Sequence, residues 1–338
     1  MHTSTRTEAW GLVAYDRDQD EFEAYLREPG LRPLVSRPLS AGCLVTGKCN
    51  LKCPHCYGDE ESLPSVELDI HGWIQVFRRL RSWGVMRVDL SGGEPTMRTD
   101  LVEIACAARS VGLEVVVSTN GMPLASKGVS GFPIVRWHVS MDSGLQEIHE
   151  QRRLLPVLKP SKNSLERASA FINHCLDAGC LVRVMTSVGP DNSTSLFALG
   201  EHLALLGVRD WNISRVIRAG RARVDYFQRW EVFNESVRDQ VSDLRCAFPF
   251  IRIRYSDRTQ SDGYFLLVLP DGTLATQYTD ARDKVGLGKV LDVSLEQLQQ
   301  DSRFHLGLHS EKWIAAAFDL QTNSVFPVAC MEPARVGW

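Results

Sequence analysis

The chain reads as an α/β protein, a parallel sheet of β/α units followed by a small α+β appendage. Three observations predict this. Six short β-branched or apolar runs alternate with amphipathic helical stretches between residues 41 and 217. The residues with the most chemical character follow directly on those runs, where ligands gather in parallel α/β sheets. Past about residue 246 the alternation gives way to a hairpin pattern.

Residues 41–46 form the first expected strand, and a cysteine-rich loop follows. A helix is predicted over 68–83, with Ile70, Trp73, Ile74, Phe77 and Leu80 as its apolar stripe. Strands over 86–91, 114–118, 134–140, 182–188 and 210–217 alternate with helices over 100–111, 164–178 and 195–206. A long connection follows the fourth strand. In the appendage, 251–255 and 264–269 read as strands, Pro270-Asp271-Gly272 as a turn, and 273–276 as the returning hairpin partner. A short helix over 295–301 ends the pattern. The expected division is an extension over 1–37, the β/α unit over 38–245 and the appendage over 246–338.

Composition narrows the function classes. A chain of 338 residues with 44% hydrophobic and 23% charged residues has the make-up of a globular protein. The net charge of −3 provides no field for nucleic acid or an anionic membrane. No apolar run approaches the ~20 residues of a membrane span, and the first residues lack the apolar stretch of a signal peptide. Nine cysteines, three of them in one loop, argue against a secreted disulfide framework and for a reducing, cytoplasmic setting.

That loop is the most informative segment. Cys49, Cys53 and Cys56 stand at C-x3-C-x2-C spacing, which lets three thiolates turn onto one metal centre. A [4Fe–4S] cluster takes one thiolate per iron, so three leave one iron open to a substrate or cofactor. A zinc site would need a fourth ligand, from His55 or Cys43, and a redox dithiol would not need Cys49. A second motif, Gly92-Gly93-Glu94-Pro95, follows the next strand, where two glycines permit close backbone approach and Glu94 supplies an acceptor.

The two motifs together, with the aromatic Tyr57 after the third cysteine, resemble the radical S-adenosylmethionine (SAM) superfamily over roughly residues 38–225. The resemblance implies a partial (β/α)6 TIM-like barrel. It also implies one [4Fe–4S] cluster on Cys49, Cys53 and Cys56, reductive cleavage of SAM, and a 5′-deoxyadenosyl radical that takes a hydrogen atom from a substrate. By the same resemblance Gly92, Gly93 and Glu94 match the segment that binds the SAM amino group, and Tyr57 lies near the adenine. Thr119 and Asn120 match the loop bordering the cofactor. Ser140 and Asp142 match a segment at the SAM ribose and carboxylate, although both could simply cap a helix. Arg153, preferred over Arg152 by its place after His149-Glu150, matches an arginine that neutralises the SAM carboxylate, but Leu154 stands where relatives carry glycine.

The appendage resembles a SPASM/twitch domain without its auxiliary cluster. Gln277 stands where relatives carry a cysteine after the hairpin, and Ser261, Asp262 and Gly263 occupy the region before it. Cys246 and Cys330 remain, too few for a second cluster, and either is a candidate hydrogen-atom donor to a substrate radical. Cys43, Cys106, Cys175 and Cys180 read as core, as do Trp137 and Trp211. Arg215, Arg218, Arg221 and Arg223 cluster after the last strand of the β/α unit. Either they form a solvated face, or Arg215 or Arg218 meets an anionic group on the substrate or SAM. The expected partners are a natural-product substrate and an external one-electron donor of the flavodoxin or ferredoxin type. Only about forty residues precede the barrel, short for a leader-binding domain. That favours a small polar substrate such as a sugar, nucleoside or amino acid derivative, undergoing epimerisation, rearrangement or elimination. The alternative is a ribosomal peptide that the enzyme epimerises or crosslinks. A non-catalytic iron–sulfur protein or a zinc-stabilised module is the remote reading.

Overall fold

Alternating apolar residues in the first segment build structure that the sequence reading left as a plain extension. In the computed structural model, which describes residues 2–314 except 29, 59–61, 125–128, 130, 135, 223–233, 257–261, 280 and 282, strands β1 (His2–Glu8), β2 (Gly11–Asp16) and β3 (Glu21–Leu26) form a three-stranded antiparallel sheet. Val13, Tyr15 and Phe22 are buried at period-two spacing and pack with Trp10, Val35, Leu39 and Met86.

The main sheet follows. Strands β4 (Ser40–Thr46), β5 (Arg87–Gly92), β6 (Glu114–Thr119), β7 (Arg136–Ser140), β8 (Leu181–Val188), β9 (Asp210–Arg215) and β10 (Arg252–Ser256) run parallel, each paired with its neighbour in chain order. The six expected strands are present, and a seventh joins them. Residues 252–256, read from sequence as part of the appendage, pair in parallel with β9. Beyond β4, the strands β11 (Leu267–Val268), β12 (Thr273–Thr276) and β13 (Val285–Lys289) extend the same sheet. The result is an open barrel of the expected partial TIM type, not a closed one. The hairpin at Pro270-Asp271-Gly272 forms as the turn residues dictate. Gly272 takes φ +78°, and Asp271 Oδ1 accepts the Thr273 amide.

Helices cover the outer face: α1 (Ile70–Ser82), α2 (Leu101–Ser110), α3 (Gln146–Arg152), α4 (Ser164–Asp177), α5 (Leu196–Leu205) and α6 (Asn234–Ala247). The short helices α7 (Leu295–Gln300) and α8 (Leu306–Trp313) close the described chain. Helix α1 starts at Asp69, whose side chain caps the Gly72 amide, and buries Trp73, Val76, Phe77 and Leu80. Its buried face is rotated slightly from expectation, with Val76 inside in place of Ile74. Helix α3 fills part of the long connection after the fourth of the expected strands. None of the helices among the described residues is long and apolar enough to cross a membrane.

The N-terminal sheet does more than add a layer. Its β2–β3 turn seals the amino end of the barrel. Asp20, buried, bonds the Arg87 guanidinium at 2.6 Å, His138 Nε2 at 2.9 Å, Arg183 Nη1 at 2.8 Å and the Tyr15 hydroxyl at 2.6 Å. The carbonyls of Asp18 and Gln19 accept from Arg136 and Arg183. Burial opposes the charge on Asp20, but Arg87, His138 and Arg183 together hold its carboxyl well below the usual range. At the other join, His309 links the β3–β4 connection to the appendage. Its Nε2 accepts from the Leu39 amide at 3.0 Å and its Nδ1 donates to the Tyr264 carbonyl at 2.9 Å.

Two stability predictions follow from these contacts. Asp20→Ala leaves four buried cationic or polar partners without this acceptor and is expected to lower the unfolding free energy by about 3–5 kcal/mol, read from urea titration. Burial depresses the His309 imidazole from 6.5 to about 4. The unfolded chain therefore takes up this proton more readily, and the stabilisation is complete above about pH 6.5 and falls as the pH drops toward 4. The loss reaches about 3 kcal/mol, and His309→Gln should flatten the pH dependence of the urea midpoint across that window.

Candidate cofactor and active site

The cysteine loop leaves β4 at the carboxyl end of the sheet and is held there from several sides. Asn120 Nδ2 donates to Asn50 Oδ1 at 2.8 Å, Lys52 N donates to Leu154 O at 2.6 Å, and Lys284 Nζ reaches Gly58 O at 2.6 Å. Arg221 uses both its amide, to Cys56 O, and its Nε, to Cys53 O, each at 3.0 Å. Glu67 accepts from the Thr46 hydroxyl and the Gly47 amide at the start of the loop. Cys49, Cys53 and Cys56 gather in one small apolar cluster with Leu51, Met122 and Leu155. Burial pushes the Cys49 thiol up to about 12 and the Cys53 thiol up to about 11.

The GGEP turn is seated against this loop, and its glycines are needed for that contact. A Cβ on Gly92, at φ +136°, would lie 2.2 Å from Thr46 O, and one on Gly93 would lie 2.2 Å from Lys48 O. The Gly93 and Glu94 amides donate to those same two carbonyls at 2.9 and 2.8 Å. Glu94 is buried. One carboxylate oxygen accepts from the Thr96 amide and hydroxyl and the Thr119 hydroxyl, and the other accepts from the Asn120 amide at 2.7 Å. The second oxygen thus keeps a lone pair for another donor. Thr119 and Asn120 hold Glu94 and, through Asn50, the cysteine loop.

Asp142, matched in sequence to a segment at the SAM ribose and carboxylate, is engaged by protein groups. It is fully buried, and its Oδ2 lies 2.8 Å from Arg153 Nη2 and 3.3 Å from His55 Nε2, while Oδ1 accepts the Ser187 amide at 3.2 Å. Burial works against its charge, but Arg153, His55 and Arg152 hold its carboxyl below the usual range. Asp142 therefore positions Arg153, whose Nη1 stands 4.0 Å from Cys53 Sγ. Ser140 lies at the end of β7, partly exposed on the inner face. Tyr57 is 39% exposed and stacks on Phe265 of the appendage at 6.4 Å. Arg215 ends β9 and Arg218 follows it, both half-buried at the same end of the sheet as the cysteine loop. Arg223 and Cys330 lie outside the described residues.

Cys246 is displaced from the role suggested for it. It is exposed near the end of α6, whose Arg245 Nε bonds Ile253 O, just before β10 begins. A helix that precedes a strand of the sheet ends at that strand's amino end, opposite the cysteine loop. The Cys246 thiol thus lies away from the end of the sheet that carries Cys49, Cys53 and Cys56.

The metal readings can be tested on the same geometry. Among the described residues, no three His, Cys, Asp or Glu side chains are arranged to grip a single ion. His55 is turned to Asp142, and Cys43 is fully buried in the core of β4. Neither offers the fourth ligand a closed zinc site requires. A four-iron cluster suits the donor set, since each thiolate would meet a different iron. Sequence reasoning missed Asn50, Glu67 and Lys284, whose roles depend on long-range contacts, and read His55 only as a possible zinc ligand. Arg221 was visible only as one of an arginine group.

Residues 43–194 match the family model described as the radical SAM superfamily. The chain is 30% identical over 159 residues to an Fe-coproporphyrin III synthase of Methanosarcina barkeri, covering 46% of this chain and 38% of the relative. It is 38% identical over 96 residues to a PqqA peptide cyclase of Methylocella silvestris, covering 28% and 26%. It thus spans less than half the length of these curated relatives. Among solved structures, Streptococcus suis SuiB bound to its precursor peptide SuiA superposes with a TM-score of 0.60 at 13% identity, over 82% of this chain and 68% of that one.

Gly93→Ala is expected to push the GGEP turn off the Lys48 carbonyl and to cut iron incorporation on anaerobic reconstitution by at least about half. Gly307→Ala in α8, whose added methyl meets nothing within 4 Å, should load iron like the parent. Iron per chain and visible absorbance provide the comparison.

Proposed function

We propose that this chain, which carries a radical SAM superfamily domain over residues 43–194, is an enzyme that cleaves SAM reductively and uses the resulting radical to take a hydrogen atom from a natural-product substrate. One observation carries the reading. Three cysteine thiols and the buried Glu94 carboxylate are locked together at the carboxyl end of a parallel sheet by the Gly93–Lys48 backbone contact. Cys49, Cys53 and Cys56 would hold one [4Fe–4S] cluster, and this cluster with SAM would supply one-electron cleavage of the sulfonium.

The chain's own residues do the rest. The spare lone pair on Glu94 Oε2 is placed to receive an ammonium donor. Thr119, Thr96 and Asn120 fix the carboxylate so that it need not reorganise on binding. Arg153, balanced by Asp142, provides a cation beside Cys53, suited to a carboxylate of a bound ligand. Tyr57 and Phe265 supply an aromatic wall where the barrel meets the appendage. Arg221 and Lys284 pin the loop and keep its backbone amides and carbonyls paired.

The appendage is best read as a SPASM/twitch-like unit without its own cluster. Gln277, where relatives place a cysteine, is buried and its Nε2 donates to the Tyr278 and Ala281 carbonyls. It holds the turn with amide bonds. One cluster per chain, fed by an external one-electron donor, follows from this reading. Rearrangement, elimination or another outcome that needs no second cluster fits best. A second reading, maturation of a ribosomal peptide, is favoured by the likeness to a peptide cyclase and to the fold of SuiB.

Anaerobically reconstituted protein supplied with a strong reductant is expected to convert SAM to 5′-deoxyadenosine and methionine, at about four irons per chain. Cys53→Ala should abolish the conversion. An iron content of about eight would overturn the single-cluster assignment, and intact SAM after reduction of a fully loaded protein would overturn the enzyme reading.

A further inference from the structure

The inner face of the sheet carries a set of polar side chains that the site described above does not use. Successive strand residues face opposite sides. The outward ones, such as Leu90, Val117, Val139, Val184 and Ile213, lie in the apolar core beneath the helices. The inward ones in the upper half include Asp89, Ser118, Ser140, Ser187, Asn212 and Ser214, contributed by five consecutive strands, with Met185 as an apolar neighbour between Ser140 and Asn212. All are partly exposed although they sit in the middle of the chain's largest sheet.

Exposure is graded along the barrel. At the amino end the inward side chains Arg87, Arg136, Arg183 and Asp210 are buried beneath the turn that carries Asp20. One step higher, the Asp89 side chain is 25% exposed. The polar surface is therefore the wall and floor of a chamber that opens toward the cysteine loop and closes at the opposite end.

Its chemistry is specific. The Ser118 hydroxyl donates to the Asp89 carboxylate at 2.8 and 3.0 Å, which leaves lone pairs on both oxygens. The nearest basic groups beneath it are engaged elsewhere. Arg87 Nη2 stands 4.0 Å away while its Nε bonds Asp20, and His138 Nδ1 stands 3.8 Å away while its Nε2 bonds Asp20. Asn212 Nδ2 donates to Ser214 Oγ at 2.7 Å, so its carbonyl oxygen is left to accept. Ser140 has no hydrogen-bond partner among the described residues. The acceptors thus outnumber the donors, one of them is an anion, and the walls are hydroxyls.

We propose that Asp89 anchors the substrate at the floor of this chamber and that the substrate is a small molecule of the amino-alcohol class, with an ammonium or hydroxyl donor to Asp89 and further hydroxyls to the serine and Asn212 walls. Calling the ligand a substrate rests on the reading of the chain as a SAM-cleaving enzyme. The chamber itself does not. An anionic ligand would meet the Asp89 carboxylate, whose nearest basic neighbours are bonded to Asp20, and an apolar one would strand the hydroxyls and the Asn212 carbonyl.

The test uses D-glucosamine, D-glucose and D-gluconate as probes on the reconstituted full chain, with affinities from saturation-transfer NMR. Glucosamine should bind more tightly than glucose, and gluconate least. Asp89→Asn keeps the shape and removes the charge, and it should weaken glucosamine by about tenfold and erase its advantage over glucose. Ser214→Val, on the facing wall, guards against a folding defect in the first variant. It should weaken both glucosamine and glucose by a similar factor at an unchanged thermal midpoint. Gluconate binding as tightly as glucosamine, or Asp89→Asn leaving the ranking intact, would overturn the proposal, as would the absence of saturable binding by all three probes. Formation of 5′-deoxyadenosine by the parent protein is followed in parallel. Its absence would remove the enzyme reading and leave the probe comparison standing.

Discussion

The contact of the Gly92-Gly93 backbone with the Thr46–Lys48 segment is the constraint from which the rest of the site follows. Two amides of one loop meet two carbonyls of the other at 2.8–2.9 Å, closer than any side chain at either glycine would permit. Because the loops leave neighbouring parallel strands, β4 and β5, the sheet itself sets their spacing. The contact also brings the Glu94 carboxylate, carried on the turn, into range of the third strand. Its bonds to Thr119 and Asn120 then tie β6 to the cysteine loop through Asn50. Three successive strand ends become one rigid unit with the thiols at its centre.

The charges are organised in two separated layers. At the amino end, Asp20 and Asp210 gather guanidinium groups from β5, β7, β8 and β10 into a network covered largely by the N-terminal sheet. At the carboxyl end, Asp142 gathers Arg152, Arg153 and His55 beside Cys53. In both, a buried carboxylate is tolerated only because several cations converge on it. Between the layers lies the partly exposed polar surface around Asp89, the place in the barrel where water reaches inward side chains. Among the described residues, ion pairs close that surface from below and the cysteine loop stands at its mouth.

The appendage belongs to the same sheet and is not an independent lobe. β11 pairs with β4 directly beside the cysteine loop, Lys284 reaches Gly58, and Phe265 stacks on Tyr57. His309 ties it back to Leu39. Any change in the appendage is therefore felt at the loop that carries the thiols. The buried amide of Gln277 has its part in this, since it satisfies two carbonyls of the turn leading to Lys284.

Sequence alone determined the order of β/α units, the amphipathic face of α1, the Pro270-Asp271-Gly272 hairpin and the grouping of Cys49, Cys53 and Cys56. Each of these is local: periodicity, turn chemistry and ligand spacing act within a few residues. Tertiary structure decided everything that depends on residues far apart in the chain. It turned an unremarked N-terminal stretch into the floor of the barrel, because Asp20 finds its cations 67 to 163 positions away. It moved residues 252–256 into the parallel sheet and placed Cys246 away from the end of it that carries Cys49, Cys53 and Cys56, because a helix and the strand after it run in opposite directions. It gave Asp142 to Arg153 and turned Asp89 inward. No single sequence marks which of its carboxylates will meet cations and which will face open space, because that choice is made by the register of strands that pair only once the sheet has formed.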